Sequence, residues 1–493
     1  MSNEMMPRPP QRPLRWTDTI LDLPDLLNDI TEPAYLVGGA VRDALLGRPV
    51  MDVDIATSGS GLALARLIAN RLGGDFYPLD TERSVGRALV ETPEGQVVFD
   101  VARLRGDLRA DLLDRDFTMN AMAVDLRGDL SLLIDPLGGE QDTFNRVIRR
   151  CNPNSLQDDP IRTLRSVRQS VQFNARIEKE TLADVRAAAP RLLDVSPERV
   201  RDEVFKLLSL PDATKALRAA DALGLLKIIF PEVEPLRGLK QEPPHVFDAW
   251  THTLAVVEQL IEVVATISPK RTDATAAQFS LGMIVMALDP YRKRLQAHLQ
   301  QTWANDRSHR SLLLLAALLH DTGKAAPGDA PERGVSARIT DTRARALRLS
   351  NAERQRLVTI VEYHALLPML ADLTPRSIYR FWRATGEAGI DVCLLALADH
   401  LGTLGPYFQQ DAWIVLLERV RTLFHAYYVE HDRYLAPTAL IDGTDLIAAL
   451  HLRPGRMIGE LLELIREARA AGEIETADEA LALARANLER RNQ

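Results

Sequence analysis

Cysteine is almost missing from this chain: 493 residues hold two, Cys151 and Cys393. Two thiols cannot build a disulfide framework, which points to a reducing cytoplasmic setting and to both as small core residues. Long apolar runs are missing too. The longest, LLLLAALL at 312–319, falls short of the roughly 18–20 residues that cross a bilayer and reads as one short buried helix, so no membrane partner is expected. No secretory apolar stretch stands near the start. There is also no excess of positive charge: the formal net charge of −8 argues against unspecific coating of nucleic acid, because phosphate binding rests on Lys and Arg. RNA contact would have to come from local basic patches, for which RVIRR at 146–150, IRTLRSVR at 161–168 and PERVRDEVFK at 197–206 are candidates, although a solvated helix face explains each equally well.

What remains is an ordinary globular composition, 46% apolar and 26% charged, in a chain too long for one core. Residues 1–20, opening MSNEMMPRPPQRPLR, lack apolar periodicity and read as disordered. From 25 to 150 short β-branched runs (AYLVGG, MDVDIA, ALVET, VVFDVA, LSLLIDP) alternate with helical patterns, and TPEGQ at 92–96 has the turn chemistry of a hairpin. After Cys151 strand signals nearly vanish. Pro-rich and loop segments at 230–244 and 435–445 punctuate the helical remainder, which is divided into 151–238, 240–405 and 406–493. The expected fold class is therefore α+β, a mixed α/β N-terminal part followed by all-α segments.

YLVGGAVRDALLG at 35–47 reads as strand, Gly-Gly turn and helix, which aims backbone N–H groups and a positive helix end at an anion. Gly38 and Gly39 supply the turn, and Arg42, one turn on, lies within reach of the same phosphate. Such turns are more often merely structural. Asp52 and Asp54 in MDVDIA are two apart on a strand, so both emerge on one face, where they can share a hard cation such as Mg²⁺. An exposed polar strand edge would look the same.

The combination resembles the first motif of the class II CCA-adding enzymes and bacterial poly(A) polymerases. Further motifs follow in that family's order: DRDFTMNAMAVDL with IDPLGGEQD at 114–142, DDPIRTLRSVR at 158–168, SPERVRDEVFKLL, GLLKIIFPEV, and the tail GTDLIAALHLRPGRMIGELLELIREARAAGEI. The resemblance runs from about residue 34 to the end. It implies a nucleotidyltransferase head, a helical neck over 151–238, an HD domain over 240–405 and an RNA-contacting tail, with tRNA, CTP and ATP as partners. It also implies phosphoryl transfer with two Mg²⁺ ions bridged by Asp52 and Asp54, with no covalent protein intermediate.

On that resemblance Asp100, in VVFDVARLR, is a candidate third catalytic carboxylate, or else a strand-end partner of Arg103 or Arg105. Arg115, Asp116 and Asn120 would hold sugar and triphosphate, with a capping role as the plain alternative for Asp116. Asp159 and Arg162 would read the base, because a carboxylate accepts from the exocyclic amine common to cytosine and adenine while a guanidinium donates to ring acceptors. Arg165 and Arg168 would continue that helix toward the phosphates. One departure bears on which nucleotide is added: where the family carries a longer flexible loop that helps switch from C to A addition, this chain has only GDLRAD. CC-adding, A-adding and poly(A) polymerase activities therefore stand as alternatives, as does an HD phosphohydrolase whose head only binds RNA.

In the helical half LLLLAALLHDTGK ends in His320 and Asp321, with His252 upstream and Asp399 downstream. This order resembles the HD metal-dependent phosphohydrolase domain, with those four residues holding a divalent transition metal that could activate water on a phosphoester. The family's further histidine has no counterpart in PERGVSARITDTRARALRLS, which leaves His364 as a substitute or as a core histidine.

Overall fold

The computed structural model describes residues 5–269, 279–326, 332–370, 372–404 and 409–492. The chain folds into two compact units, Met1–Ser196 with Ala219–Ile228, and Pro197–Arg218 with Ile229–Gln493, so the segment expected as one neck is shared between them.

The first unit is built on a six-stranded sheet. The elements that position the site are β1 (Ala34–Val37), α1 (Gly39–Leu45), β2 (Asp52–Thr57), α2 (Gly61–Leu72), β3 (Asp75–Asp80), β4 (Val85–Thr92), β5 (Gly95–Arg103), α3 (Leu108–Leu113), β6 (Ala123–Asp125), α4 (Gly139–Phe144) and α5 (Arg162–Gln172). The strand order is β3-β4-β5-β2-β1-β6, with β2 and β5 parallel and the other pairs antiparallel. In β2 the period of two turns Val53 and Ile55 into the core and leaves Asp52 and Asp54 on the open face. Helix α2 can lie against the sheet because its first residue is glycine: a Cβ on Gly61 would stand 2.2 Å from the Ser84 carbonyl oxygen. Ser60 caps that helix by accepting from the Ala63 N–H.

The hairpin expected at 92–96 is present, closing β4 on β5 with Thr92 opposite Gly95. Two other expectations fail. LSLLIDP is not a strand; it makes only single bridges, Leu133 to Arg8 and Ile134 to Ala123. Residues 5–20 are not disordered either. Arg8 exchanges two backbone hydrogen bonds with Leu133 and its side chain meets Asp135 and Glu140, while Trp16 Nε1 donates to the Leu130 carbonyl and the indole packs on the core. Here ion pairs and one aromatic anchor supply what apolar periodicity did not signal. Residues 1–4 lie outside the described residues.

Among its described residues the second unit is built of helices joined by loops, with one isolated bridge between Thr302 and Ser308. The helices that place its polar centre are α6 (Ala249–Ile267), α7 (His309–Leu319), α8 (Asn351–Tyr363), α9 (Pro375–Thr385) and α10 (Ala388–Leu404). Helix α7 is the expected buried LLLLAALL segment, every one of those eight side chains being 1% exposed or less. Helix α11 (Arg456–Ala471) gathers a small core of its own around Leu446, Leu461 and Ile465, and its Glu467 and Glu463 meet Arg376 and Arg383 of α9. No helix among the described residues is long and apolar enough to cross a membrane.

Candidate active site and metal centre

Asp54 sits where three strands meet: β2 pairs it with Val37 of β1 on one side and with Asp100 of β5 on the other. In-register neighbours share a face, so Asp54 and Asp100 stand side by side, with Asp52 two residues before Asp54. The surrounding protein desolvates Asp54 and raises its pKa; Arg115 and Arg165 oppose the rise, and Asp100 and Asp52 add to it. Carboxylates that repel one another in this way suit a hard cation bound through oxygen. Gly38, at φ 75°, leaves the room: a Cβ there would lie 2.6 Å from Arg115 Nη1 and 2.7 Å from Asp54 Oδ2.

Asp100 is already engaged. Its carboxylate accepts from Arg87 Nε and Nη2, both at 2.8 Å, across the β4–β5 ladder, so its ion pair is neither Arg103 nor Arg105. Arg42 is buried, with Nε and Nη2 donating to Asp43 at 3.1 and 2.8 Å, Nη1 to Asn120 Oδ1, and its guanidinium carbon 4.3 Å above the Phe173 ring. The glycine turn is thereby joined to Asn120.

Asn120 leads onward to Asp116, a buried carboxylate with four side-chain and backbone donors around it. Asp116 accepts from the Phe117 N–H (2.8 Å), Asn120 Nδ2 (2.9 Å), Arg165 Nε (2.8 Å) and Gln169 Nε2 (3.3 Å). Burial alone would raise its pKa, but Arg165 and these donors outweigh it and hold the carboxyl far below its usual range. Arg162, also buried, donates from Nη1 to Ser155 Oγ (2.7 Å) and from its two Nη atoms to the Ser155, Arg115 and Asp114 carbonyls, with Asp159 Oδ2 3.8 Å from Nε. Arg168 Nη1 donates to Gln172 Oε1 on its own helix at 2.9 Å. The structure thus brings Gly38, Gly39, Arg42, Asp54, Arg115, Asp116, Asn120 and Arg165 into one connected group. Arg87, Ser155 and Gln169 were missed. Only the strand register exposes Arg87, and Gln169 carried one weak signal, its place four residues after Arg165 on the same helix face.

In the second unit His252 Nε2 lies 3.1 Å from Asp399 Oδ1 and 3.3 Å from Asp321 Oδ2, and His320 Nε2 lies 3.2 Å from Asp321 Oδ2. All four predicted residues are therefore together. His252, His320 and Asp321 are the group of three donors, among the described residues, whose ligand atoms lie within 4.8 Å of one another. The Nε2 atoms of His252 and His320 are buried and face these carboxylate oxygens without well-directed hydrogen-bond geometry, and His320 Nδ1 is committed to the Ala317 carbonyl at 2.7 Å. That donor set fits a transition metal. Burial disfavours a charged His252, yet Asp321 and Asp399 prevail and push it up to about 9.

His364 belongs to this centre: its ring is 5.0 Å from that of His320, its Nε2 is 3.8 Å from Asp321 Oδ1, and its Nδ1 is tied to the Val361 carbonyl. His245, 5.1 Å from His252 ring to ring, and Lys324, with Nζ 2.7 Å from Asp321 Oδ2, complete the surroundings. Neither was singled out from the sequence, although Lys324 stands in the same HDTGK run.

Residues 34–149 match the family described as poly A polymerase head domain, residues 174–236 the probable RNA and SrmB-binding site of polymerase A, and residues 291–404 the HD domain. Over 91% of its length the chain is 32% identical to the A-adding tRNA nucleotidyltransferase of Deinococcus radiodurans, of which it covers 94%. It is 33% identical to the CC-adding tRNA nucleotidyltransferase of Geobacter sulfurreducens, covering 91% of this chain and 90% of the relative. In fold it is similar to a CCA-adding enzyme solved with ATP, with a TM-score of 0.60 at 22% identity over 95% of this chain and 94% of the other. A Thermotoga maritima CCA-adding enzyme solved with tRNA is similar as well, with a TM-score of 0.53 at 22% identity over 95% and 94% of the two chains.

Proposed function

Because the chain belongs to the tRNA nucleotidyltransferases, RNA nucleotidyltransferases with a poly A polymerase head and an HD domain, we propose that it adds C and A nucleotides to the tRNA 3′ end from CTP and ATP without a nucleic-acid template. In this reading residues 25–150 are the head, 151–238 the neck, 240–405 the HD domain and 406–493 the tail that contacts RNA. The observation that carries it is the facing of Asp52, Asp54 and Asp100 beside the glycine turn.

Asp52 and Asp54 would hold Mg²⁺, which when bound supplies the charge that activates the 3′-hydroxyl and neutralises departing pyrophosphate. Gly38 and Gly39 present backbone to the triphosphate, Arg42 and Arg115 add positive charge beside it, and Asn120 with Asp116 faces the ribose. Asp159 and Arg162 select the base by accepting from the exocyclic amine and donating to ring acceptors, Arg162 exchanging its carbonyl contacts for the base. Arg165 and Arg168 lie on the phosphate side of that helix.

Relatives separately A-adding and CC-adding leave the extent of the tail to experiment. Purified protein is incubated with tRNAs ending before the tail, after the first C and after CC, each with CTP or ATP, and the products are sequenced. Full CCA addition extends all three; a CC-adding enzyme leaves the CC-ending tRNA unextended, and an A-adding enzyme extends that one alone.

At the HD domain, the buried Nε2 atoms of His252 and His320 support a divalent transition metal shared with Asp321 and Asp399. Hydrolysis of a 2′,3′-cyclic phosphate is the activity such a centre would add; no metal-dependent turnover would leave it a structural role.

A further inference from the structure

Gln169 is 2% exposed, carries no charge and lies on α5 one turn beyond Arg165. Its amide is used at both ends: Oε1 accepts from Asn120 Nδ2 at 3.0 Å, and Nε2 donates to Asp116 Oδ2 at 3.3 Å. Asn120 Nδ2 also donates to Asp116 Oδ1, so the three side chains close a ring. The direction of every bond in it is determined. Arg42 has only donors, so the Asn120 atom that faces it must be oxygen. The Asn120 amine then faces Gln169, whose oxygen must accept, which turns the Gln169 amine to the carboxylate of Asp116.

We propose that Gln169 is a positioning residue of the nucleotide site: it fixes the orientation of Asn120 and Asp116 and so couples the base-reading helix α5 to Arg42 beside the triphosphate. The inference rests on the reading that Asn120 and Asp116 face the ribose. A buried amide with both ends spent would be costly to replace by a group that satisfies only one of them. Any loosening of the ring reaches the sugar first, because Asn120 and Asp116 then lose the side chain that ties both of them to α5.

The test uses the full chain with two variants. Gln169→Met keeps the volume and removes both hydrogen bonds. Gln169→Glu keeps the acceptor for Asn120 and sets a second carboxyl against Asp116; two such neighbours favour holding one proton between them. For Gln169→Met, KM for both CTP and ATP rises about tenfold, kcat changes less than KM, and the preference for CTP over dCTP falls. For Gln169→Glu, the raised KM at pH 8 recovers toward that of the parent as the pH is lowered and the added carboxyl takes up a proton that can donate to Asp116. A purely structural role would not give that recovery. Equilibrium dialysis with labelled CTP reads the same loss without catalysis, so a parent protein that incorporates no nucleotide sinks the transferase reading and still leaves Gln169 testable. Unchanged KM, unchanged CTP binding and an unchanged CTP to dCTP ratio in either folded variant would overturn the proposal.

Discussion

Arg87 grips Asp100 with two parallel hydrogen bonds of 2.8 Å, directly across the β4–β5 ladder and beside Asp54. Both side chains are partly exposed, 39% and 33%, and such pairs are worth about 0.2–1 kcal/mol. If Asp100 joins Asp52 and Asp54 on a metal, the ion must compete with Arg87. Arg87→Ala then lowers the Mg²⁺ concentration for half-maximal nucleotide incorporation by up to about fivefold. An unchanged Mg²⁺ requirement would remove Asp100 from the metal.

Asp116 and Arg165 make a second separable prediction. Removing one partner of a buried ion pair costs about 3–5 kcal/mol, and since Arg165 is 37% exposed the lower end is expected for Asp116→Ala in urea unfolding at pH 7. The carboxyl is held below its usual pKa, so its contribution is present above the unfolded value and is lost as pH falls through the folded one. The gap between parent and variant should therefore narrow toward pH 2. A gap independent of pH would mean that lost packing, not charge, is what was removed.

His309 in the helical unit also costs stability as pH falls, but its replacement opens a gap at low pH instead of closing one. Burial, with repulsion from Arg356 and His298 only partly offset by Asp391 and Glu387, pushes it down to about 4. An unfolded histidine near 6.5 binds a proton that the native one refuses, so this group costs stability as pH falls from about 6.5 to about 4. His309→Phe should remove that cost, about 2 kcal/mol at pH 5, and leave pH 8 little changed. Urea midpoints at the two pH values check it, and parallel pH profiles in parent and variant would count against it.

These networks mark where the sequence was and was not legible. The β2 aspartates could be read because a period of two fixes a common face, and α7 because eight consecutive apolar residues have nowhere to go but inside. Strand β3 was missed: DFYPLD is a sheet edge, interrupted by Pro78 and mostly exposed, so it carries no alternation. Strand β6 is three residues long inside a motif read for its chemistry. The ion-pair partner of Asp100 depends on the register between strands, and the Asn120–Asp116–Gln169 ring on how α5 meets the turn before β6. Neither follows from spacing along the chain. The disorder expected over 1–20 fails for residues 5–20 because Trp16 and Arg8 anchor the segment through hydrogen bonds and ion pairs, which no periodicity announces.

For the HD centre the expected outcome is thermodynamic. A metal at a hundredfold excess over its Kd stabilises the folded state by about 2.7 kcal/mol. Chelator-treated protein should melt lower than protein returned to Mn²⁺ or Ni²⁺, and His320→Ala should abolish the difference. If His320→Ala keeps the full metal-induced shift in melting temperature, the metal lies elsewhere.

The account stands or falls on Asp52 and Asp54. Incorporation of labelled CTP and ATP into tRNA lacking its tail should be robust in the parent protein and undetectable in Asp52→Ala and Asp54→Ala variants that melt like it. Incorporation that persists in either variant would contradict transfer at this site.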